Sequence, residues 1–123
     1  MEEIKEGEYV RTENGFIGKI ENINDFRPPE SKYAVDIQAE DLVFIGEDFI
    51  KKHSPNIIDL IEEGDYINGC LVTAIYDEYK NDNTIQFETN YEGRYRYYTD
   101  EEIKSIVTHE QFNQVKYEVQ IWI

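Results

Sequence analysis

The segment IKEGEYV at positions 4–10 returns as IEEGDYI at positions 61–67, halfway along a chain of 123 residues. In both copies an apolar residue is followed by two charged residues ending in Glu, then Gly, an acid, Tyr and a β-branched residue. That is the pattern of a turn feeding a strand. A chain of this length can hold one domain or two of about 55–60 residues. The repeat favours two, residues 1–60 and 61–123.

The residues downstream of each copy support the division. RTENGFIGKIENI places a hairpin signal at Asn14-Gly15 and strand residues at Phe16, Ile17, Ile20 and Ile23, and NGCLVTAIYDEY places Asn68-Gly69 before a β-rich run from Leu71 to Tyr76. Tyr33, Val35, Ile37 and Ala39 alternate with Ala34, Asp36, Gln38 and Glu40, the period of a half-buried strand, and Thr84–Thr89 does so less cleanly. Leu42–Ile45 and Arg94–Tyr98 read as the next strands. FIKKHSP (49–55) and SIVTHEQF (105–112) each read as a strand running into a helix start, with Ser54 as cap before Pro55 and a capping box from Thr108 to Gln111. The first helix ends by Gly64. Its apolar stripe, Ile57, Ile58, Leu60 and Ile61, is predicted to bury against both halves. In the last run Tyr117, Val119, Ile121 and Ile123 share one face, opposite Glu118, Gln120 and Trp122. The predicted fold is mainly β: two tandem SH3-like small barrels with short helical turns. A single larger sheet remains the alternative.

The chain carries 27 acidic and 12 basic residues, a net charge of −15. Residues 1–60 hold 14 acids and 7 bases, and residues 61–123 hold 13 and 5, so the excess is not a tail. Binding to nucleic acid rests largely on Lys and Arg displacing counterions, so direct nucleic-acid binding is disfavoured and basic partners are favoured. The apolar fraction of 40%, with ten Tyr and six Phe, suffices for a core. Cys70 has no partner for a disulfide, and no Cys/His group has zinc spacing. No export signal and no apolar run of about 18 residues is visible. These features predict a cytoplasmic protein away from the membrane.

Nothing in the sequence spells a catalytic site. His53 and His109 each stand three residues after an Ile, Ile50 and Ile106, which suggests a repeated structural position rather than a paired active site. No loop has calcium spacing and none is a Gly-rich phosphate loop. The expectation is a protein that is not an enzyme and takes no cofactor or metal. A binding surface can be drawn over positions 75–102, where tyrosines interleave with acids. Its candidates are Asp77, Glu78, Tyr79, Asp82, Glu88, Tyr91, Glu92, Asp100, Glu101 and Glu102, with Trp122 as an outward-facing aromatic. Tyr95 and Tyr97 alternate with Arg94 and Arg96, and the tyrosines are expected to face the core.

The stretches GEYVRTENG, KHSPNIIDLIEEGDYING and IKSIVTHEQF resemble a family of small acidic proteins from clostridial genomes and their phages and prophages. The resemblance implies a setting rather than a chemistry: the cytoplasm of a bacterial host, where such proteins bind and block host factors. The function it suggests is a phage-type, anti-CRISPR or other anti-defence inhibitor of a host nucleic-acid-handling enzyme. Its acidic surface would mimic nucleic acid on a basic host surface. The alternative is a tandem SH3-like adaptor that holds a peptide or basic tail in an aromatic groove.

Overall fold

The computed structural model describes residues 3–37, 41–81, 84–89 and 95–112, and positions 41, 76–81, 84–89 and 95–100 through the backbone alone. The chain divides into two compact units, Met1–Leu60 and Ile61–Ile123. The architecture is mainly β. In the first unit, strands β1 (Tyr9–Thr12), β2 (Ile17–Ile23), β3 (Tyr33–Ile37), β4 (Asp41–Ile45) and β5 (Ile50–Ser54) form one antiparallel sheet in the order β4-β3-β2-β1-β5. In the second, β6 (Tyr66–Ile67), β7 (Cys70–Asn81), β8 (Thr84–Thr89), β9 (Tyr95–Thr99) and β10 (Ile106–Val107) form another in the order β10-β6-β7-β8-β9. Adding five to each strand number of the first sheet, and reading the order from its other end, reproduces the second, so the repeat extends from letters to connectivity. A 3-10 turn precedes the fifth strand in each, Glu47–Phe49 and Asp100–Glu102. Among the described residues neither order closes on itself: the outermost strands each have one neighbour, so the pairing gives open sheets rather than the predicted closed barrels.

The repeated heptad forms the same hydrogen-bonded corner twice. Gly7 and Gly64 both take positive φ (88° and 94°), as the third residue of a tight turn requires. The Glu8 amide donates to the Lys5 carbonyl and that of Asp65 to Glu62, each at 3.2 Å. Gly7 N–H donates to the Ile20 carbonyl (2.9 Å) and Gly64 N–H to that of Val72 (2.8 Å). Ile20 N–H returns to the Glu8 carbonyl, and Val72 N–H to that of Asp65, both at 2.8 Å. The motif acid completes each corner. Glu8 Oε1 accepts from the Lys5 amide at 2.7 Å, and Asp65 Oδ2 from the Glu62 amide at 2.8 Å.

The two Asn-Gly steps differ more than their letters predict. Asn68 and Gly69 both have positive φ (51° and 84°), as a two-residue type I′ turn between the paired Ile67 and Cys70 requires. At the first step Gly15 has positive φ (90°) and Asn14 does not, in a longer loop closed by Thr12 N–H on the Phe16 carbonyl. The Thr12 hydroxyl also accepts from Phe16 N–H (3.0 Å).

In the first unit each strand gives the core at least one residue: Val10, Ile20, Tyr33 and Val35, Ile45, and Ile50, joined by Ile4 from the motif turn. The alternation predicted for β3 holds for Tyr33 and Val35, although Ala34 is buried as well. In β4, Ile45 is buried and Val43 packs on the core, while Leu42 and Phe44 are exposed. Gly18 is required by close approach: a Cβ there would lie 2.6 Å from the Asp36 carbonyl oxygen and 2.7 Å from Val35 Cγ1. The predicted helix after Ser54 is a single 3-10 turn, Ile57–Leu60, packed on β1 and β5. Ser54 Oγ accepts from Asn56 N–H (3.1 Å), and Ile58, Leu60 and Ile61 are buried. The capping box forms at the helical turn 109–112, with Gln111 N–H on Thr108 Oγ1 (3.4 Å) and Thr108 N–H on Gln111 Oε1 (3.3 Å). Arg11, in β1, is a buried side chain that the alternation did not mark, and its Nη1 donates to the Leu60 carbonyl at 2.9 Å. Among the described residues no helix is long and apolar enough to cross a membrane. The run 113–123, with Trp122, lies outside the described residues, as do Gln38–Glu40.

Substitution in the corners gives a direct check. Gly7→Ala and Gly64→Ala should each cost about 1–2 kcal/mol in urea unfolding, because each forces a Cβ into the left-handed region. Gly18→Ala, at ordinary φ, should cost about 1–3 kcal/mol through overlap with β3. Equal stability of Gly18→Ala and the parent would contradict the close approach.

Candidate functional site

A groove of about 770 Å³ lies in the first unit, between the β2–β3 connection and the end of β4 with its following 3-10 turn. The connection is built by local bonding. Phe26 N–H donates to Asn24 Oδ1 (2.9 Å), Asn24 N–H to the Lys32 carbonyl (3.0 Å), and Pro29–Ser31 form a 3-10 turn. Arg27 pins it from inside, with Nε on the Ser31 carbonyl (2.8 Å) and Nη2 on that of Lys32 (3.0 Å). The same guanidinium lies 4.8 Å from the centre of the Phe44 ring. Lys32 lies 5.4 Å from the centre of the Tyr33 ring and 3.1 Å from Asp25 Oδ1. Its ammonium pKa is raised by the hydrogen bond to Asp25 and by the neighbouring Tyr33.

Aromatic surface is open along this groove. Phe44 and Phe49 line it at 48% and 39% exposure, and Phe26, in the adjoining loop, is fully exposed. Glu30, Glu47 and Asp48 stand on its rim, and their carboxylates make no ion pair among the described residues. The two cations of the groove are already engaged with the chain's own rings, carbonyls and Asp25, and the acids are not. The second unit has no counterpart of the 24–32 loop among the described residues: β7 runs on to Asn81, which pairs with Thr84.

The sequence-based surface falls wholly in the second unit. Asp77, Glu78 and Tyr79 lie on β7 between the rungs Tyr76–Gln86 and Asn81–Thr84, in a stretch of irregular register. Asp100–Glu102 form the 3-10 turn after Thr99, which pairs with Thr84. The structure thus puts 77–79 and 100–102 at the same end of one sheet, two strands apart. Glu88 stands further along β8, opposite Ala74 and Tyr95. Glu101 and Glu102 are exposed. Asp82, Tyr91, Glu92 and Trp122 lie outside the described residues, as do Arg94 and the side chains of Tyr95, Arg96 and Tyr97. The groove of the first unit escapes a linear reading because its rings, Phe44 and Phe49, fall in strand-like runs. The signal available is the alternation itself, which points Phe44 away from the core that holds Val43 and Ile45.

The two histidines do not occupy one repeated position. His53 is a strand residue, paired with Val10, whereas His109 follows β10 and opens the helical turn. Register is the reason: Ile106, not His109, pairs with Ile67 as His53 pairs with Val10. Both nonetheless meet the repeated motif. His53 Nδ1 lies 3.1 Å from Glu8 Oε1, with both side chains largely buried. His109 Nε2 lies 2.8 Å from Glu62 Oε1, and its backbone N–H donates to Asp65 Oδ1 at 2.9 Å. Fully buried Asp65 therefore ties the motif turn to the start of the helical turn 109–112. Asn68 adds a second tie: its Nδ2 donates to the Glu102 carbonyl (2.9 Å), and its Oδ1 accepts from the amides of Lys104 (2.8 Å) and Ser105 (3.1 Å).

Comparison with protein-family models, with curated proteins and with solved structures gives no match.

Removing the Asp65 carboxylate should test the tie. Asp65→Ala should destabilise the second unit by about 3 kcal/mol, since two amides lose a charged acceptor in a dry site. Asp65→Asn, keeping one acceptor oxygen, should lose about half of that. Thermal unfolding followed by amide signals of the second unit would measure both, and parent-like stability of Asp65→Ala would show that the tie contributes nothing net.

Proposed function

We propose that the protein is a non-catalytic binding protein for a basic partner, and that the groove of the first unit holds an Arg- or Lys-rich segment of it. The observation carrying this reading is the combination of exposed Phe44 and Phe49 with the carboxylates of Glu30, Glu47 and Asp48 around them. An aliphatic stem ending in a cation can lie along such rings and place its charge on the rim. Arg27 and Lys32 already stack on Phe44 and Tyr33, which illustrates the affinity of these rings for cations. We take each unit as an SH3-like half of the chain. Support comes from the meander of four strands, the 3-10 turn before the fifth, and the pairing of the fifth with the first.

A second reading rests on the net charge of −15 and the exposed Glu101 and Glu102. Here the acids of both units take the place of nucleic-acid phosphates on a host defence enzyme, the anti-CRISPR or other anti-defence role, in a phage-type setting in the bacterial cytoplasm. Salt separates the two. Charge mimicry weakens steeply between low and moderate ionic strength, whereas a cation held on aromatic rings weakens less.

Fluorescence anisotropy with a labelled Arg/Lys-rich peptide tests the groove. Phe44→Ala and the pair Glu47→Gln/Asp48→Asn should each weaken binding roughly tenfold, about the 1.4 kcal/mol typical of losing a contact residue. Neutralising Glu101 and Glu102 should leave it unchanged. The reverse pattern would reject the groove in favour of the acidic surface of the second unit.

A further inference from the structure

Glu62 sits in the motif turn that enters β6, and His109 and Glu110 sit in the helical turn after β10. The fold brings them together across 47 residues of sequence. His109 Nε2 lies 2.8 Å from Glu62 Oε1 and 3.0 Å from Glu110 Oε1. One ring nitrogen carries at most one proton, so it can direct a good hydrogen bond at only one of two carboxylates. A cation among the three atoms would serve all of them at once.

The geometry suits a small ion. The three donor atoms lie within 4.8 Å of one another, and ligand atoms about 2.0–2.2 Å from a tetrahedral ion stand about 3.3 Å apart. The side chains are part-buried, at 32%, 18% and 14% exposure for His109, Glu62 and Glu110, which limits competition from solvent while leaving a path of entry. Their backbone is set beforehand by a group outside the cluster. Buried Asp65 takes the Glu62 amide on one carboxylate oxygen and the His109 amide on the other. The capping box of Thr108 and Gln111 fixes the turn that carries His109 and Glu110. Preorganised ligands of this kind lose little freedom on binding.

We propose that Glu62, His109 and Glu110 form a binding site for a divalent transition ion of the zinc class. The imidazole nitrogen selects against magnesium and calcium, which take oxygen donors. Three protein ligands leave a fourth position for water or for a group from a partner. Ligation clamps the start of the second unit to the helical turn after its last described strand. The inference does not depend on the groove, which belongs to the first unit.

The test uses the full chain in a Cys70→Ser background, so that the thiol contributes nothing. Zinc(II) titrated by calorimetry should bind at one equivalent and raise the melting temperature. On zinc addition the imidazole nitrogen signals of His109 should shift in long-range proton–nitrogen spectra while those of His53 stay. His109→Asn and Glu110→Gln should each weaken binding at least ~10-fold, and His53→Asn should leave it within about twofold. Magnesium in tenfold excess should not displace the zinc. Absence of a saturable first equivalent, an unshifted His109 ring, or equal affinity in folded His109→Asn would overturn the site. Because the spectra are read on the parent ring, the outcome stands even if the variants fold poorly.

Discussion

The interaction on which both sheets depend is a carboxylate turned back onto the backbone of the turn before the first strand of each unit. Glu8 and Asp65 each accept an amide three residues upstream, in a corner that only Gly at the third position forms without strain. The corner directs Ile4 and Ile61 into buried positions and starts β1 and β6, strands with neighbours on both sides. The same acids reach residues far along the sequence, Glu8 to the ring of His53 in β5 and Asp65 to the amide of His109. The heptad that reads as a turn feeding a strand thus also ties the start of the first unit to β5 and that of the second to the turn after β10.

With the shared framework so occupied, function falls to what the copies do not share. The first unit carries a structured loop between its second and third strands, and that loop makes one wall of the groove. The second carries the twelve-residue β7 paired with β8 there, with the acids Asp77 and Glu78 on β7 and the turn at 100–102 at the same end of the sheet. The histidines diverge likewise. His53 is enclosed with Glu8, while His109 faces two carboxylates from a more open position. These differences are the basis for assigning the basic partner to one unit and the metal ion to the other.

Much of the framework was legible in the sequence, because the signals there are local. Tyr33 and Val35 read as strand through alternation, Leu42–Ile45 as the next strand run, Thr108 and Gln111 as a cap through spacing, and the repeat as a doubled topology. Closure was not legible, since whether β4 and β5 pair depends on how far the sheet coils. Register was not legible either: counting from Ile50 and Ile106 equates the histidines, whereas the ladder sets Ile106 where His53 stands. The groove and the Glu62–His109–Glu110 cluster escaped for a common reason. Each gathers residues distant in the chain, and neither leaves a spacing that a linear reading can detect. Buried Arg11 escaped because its neighbours Val10 and Thr12 are buried as well, which breaks the period of two.

The contrast between the two second-to-third connections also bears on how such a chain can change. One framework accommodates a nine-residue excursion with its own 3-10 turn, and the other a long ribbon, without altering the strand order on either side. This junction is thus the natural place to graft new recognition segments, while the corner before the first strand of each unit remains untouched.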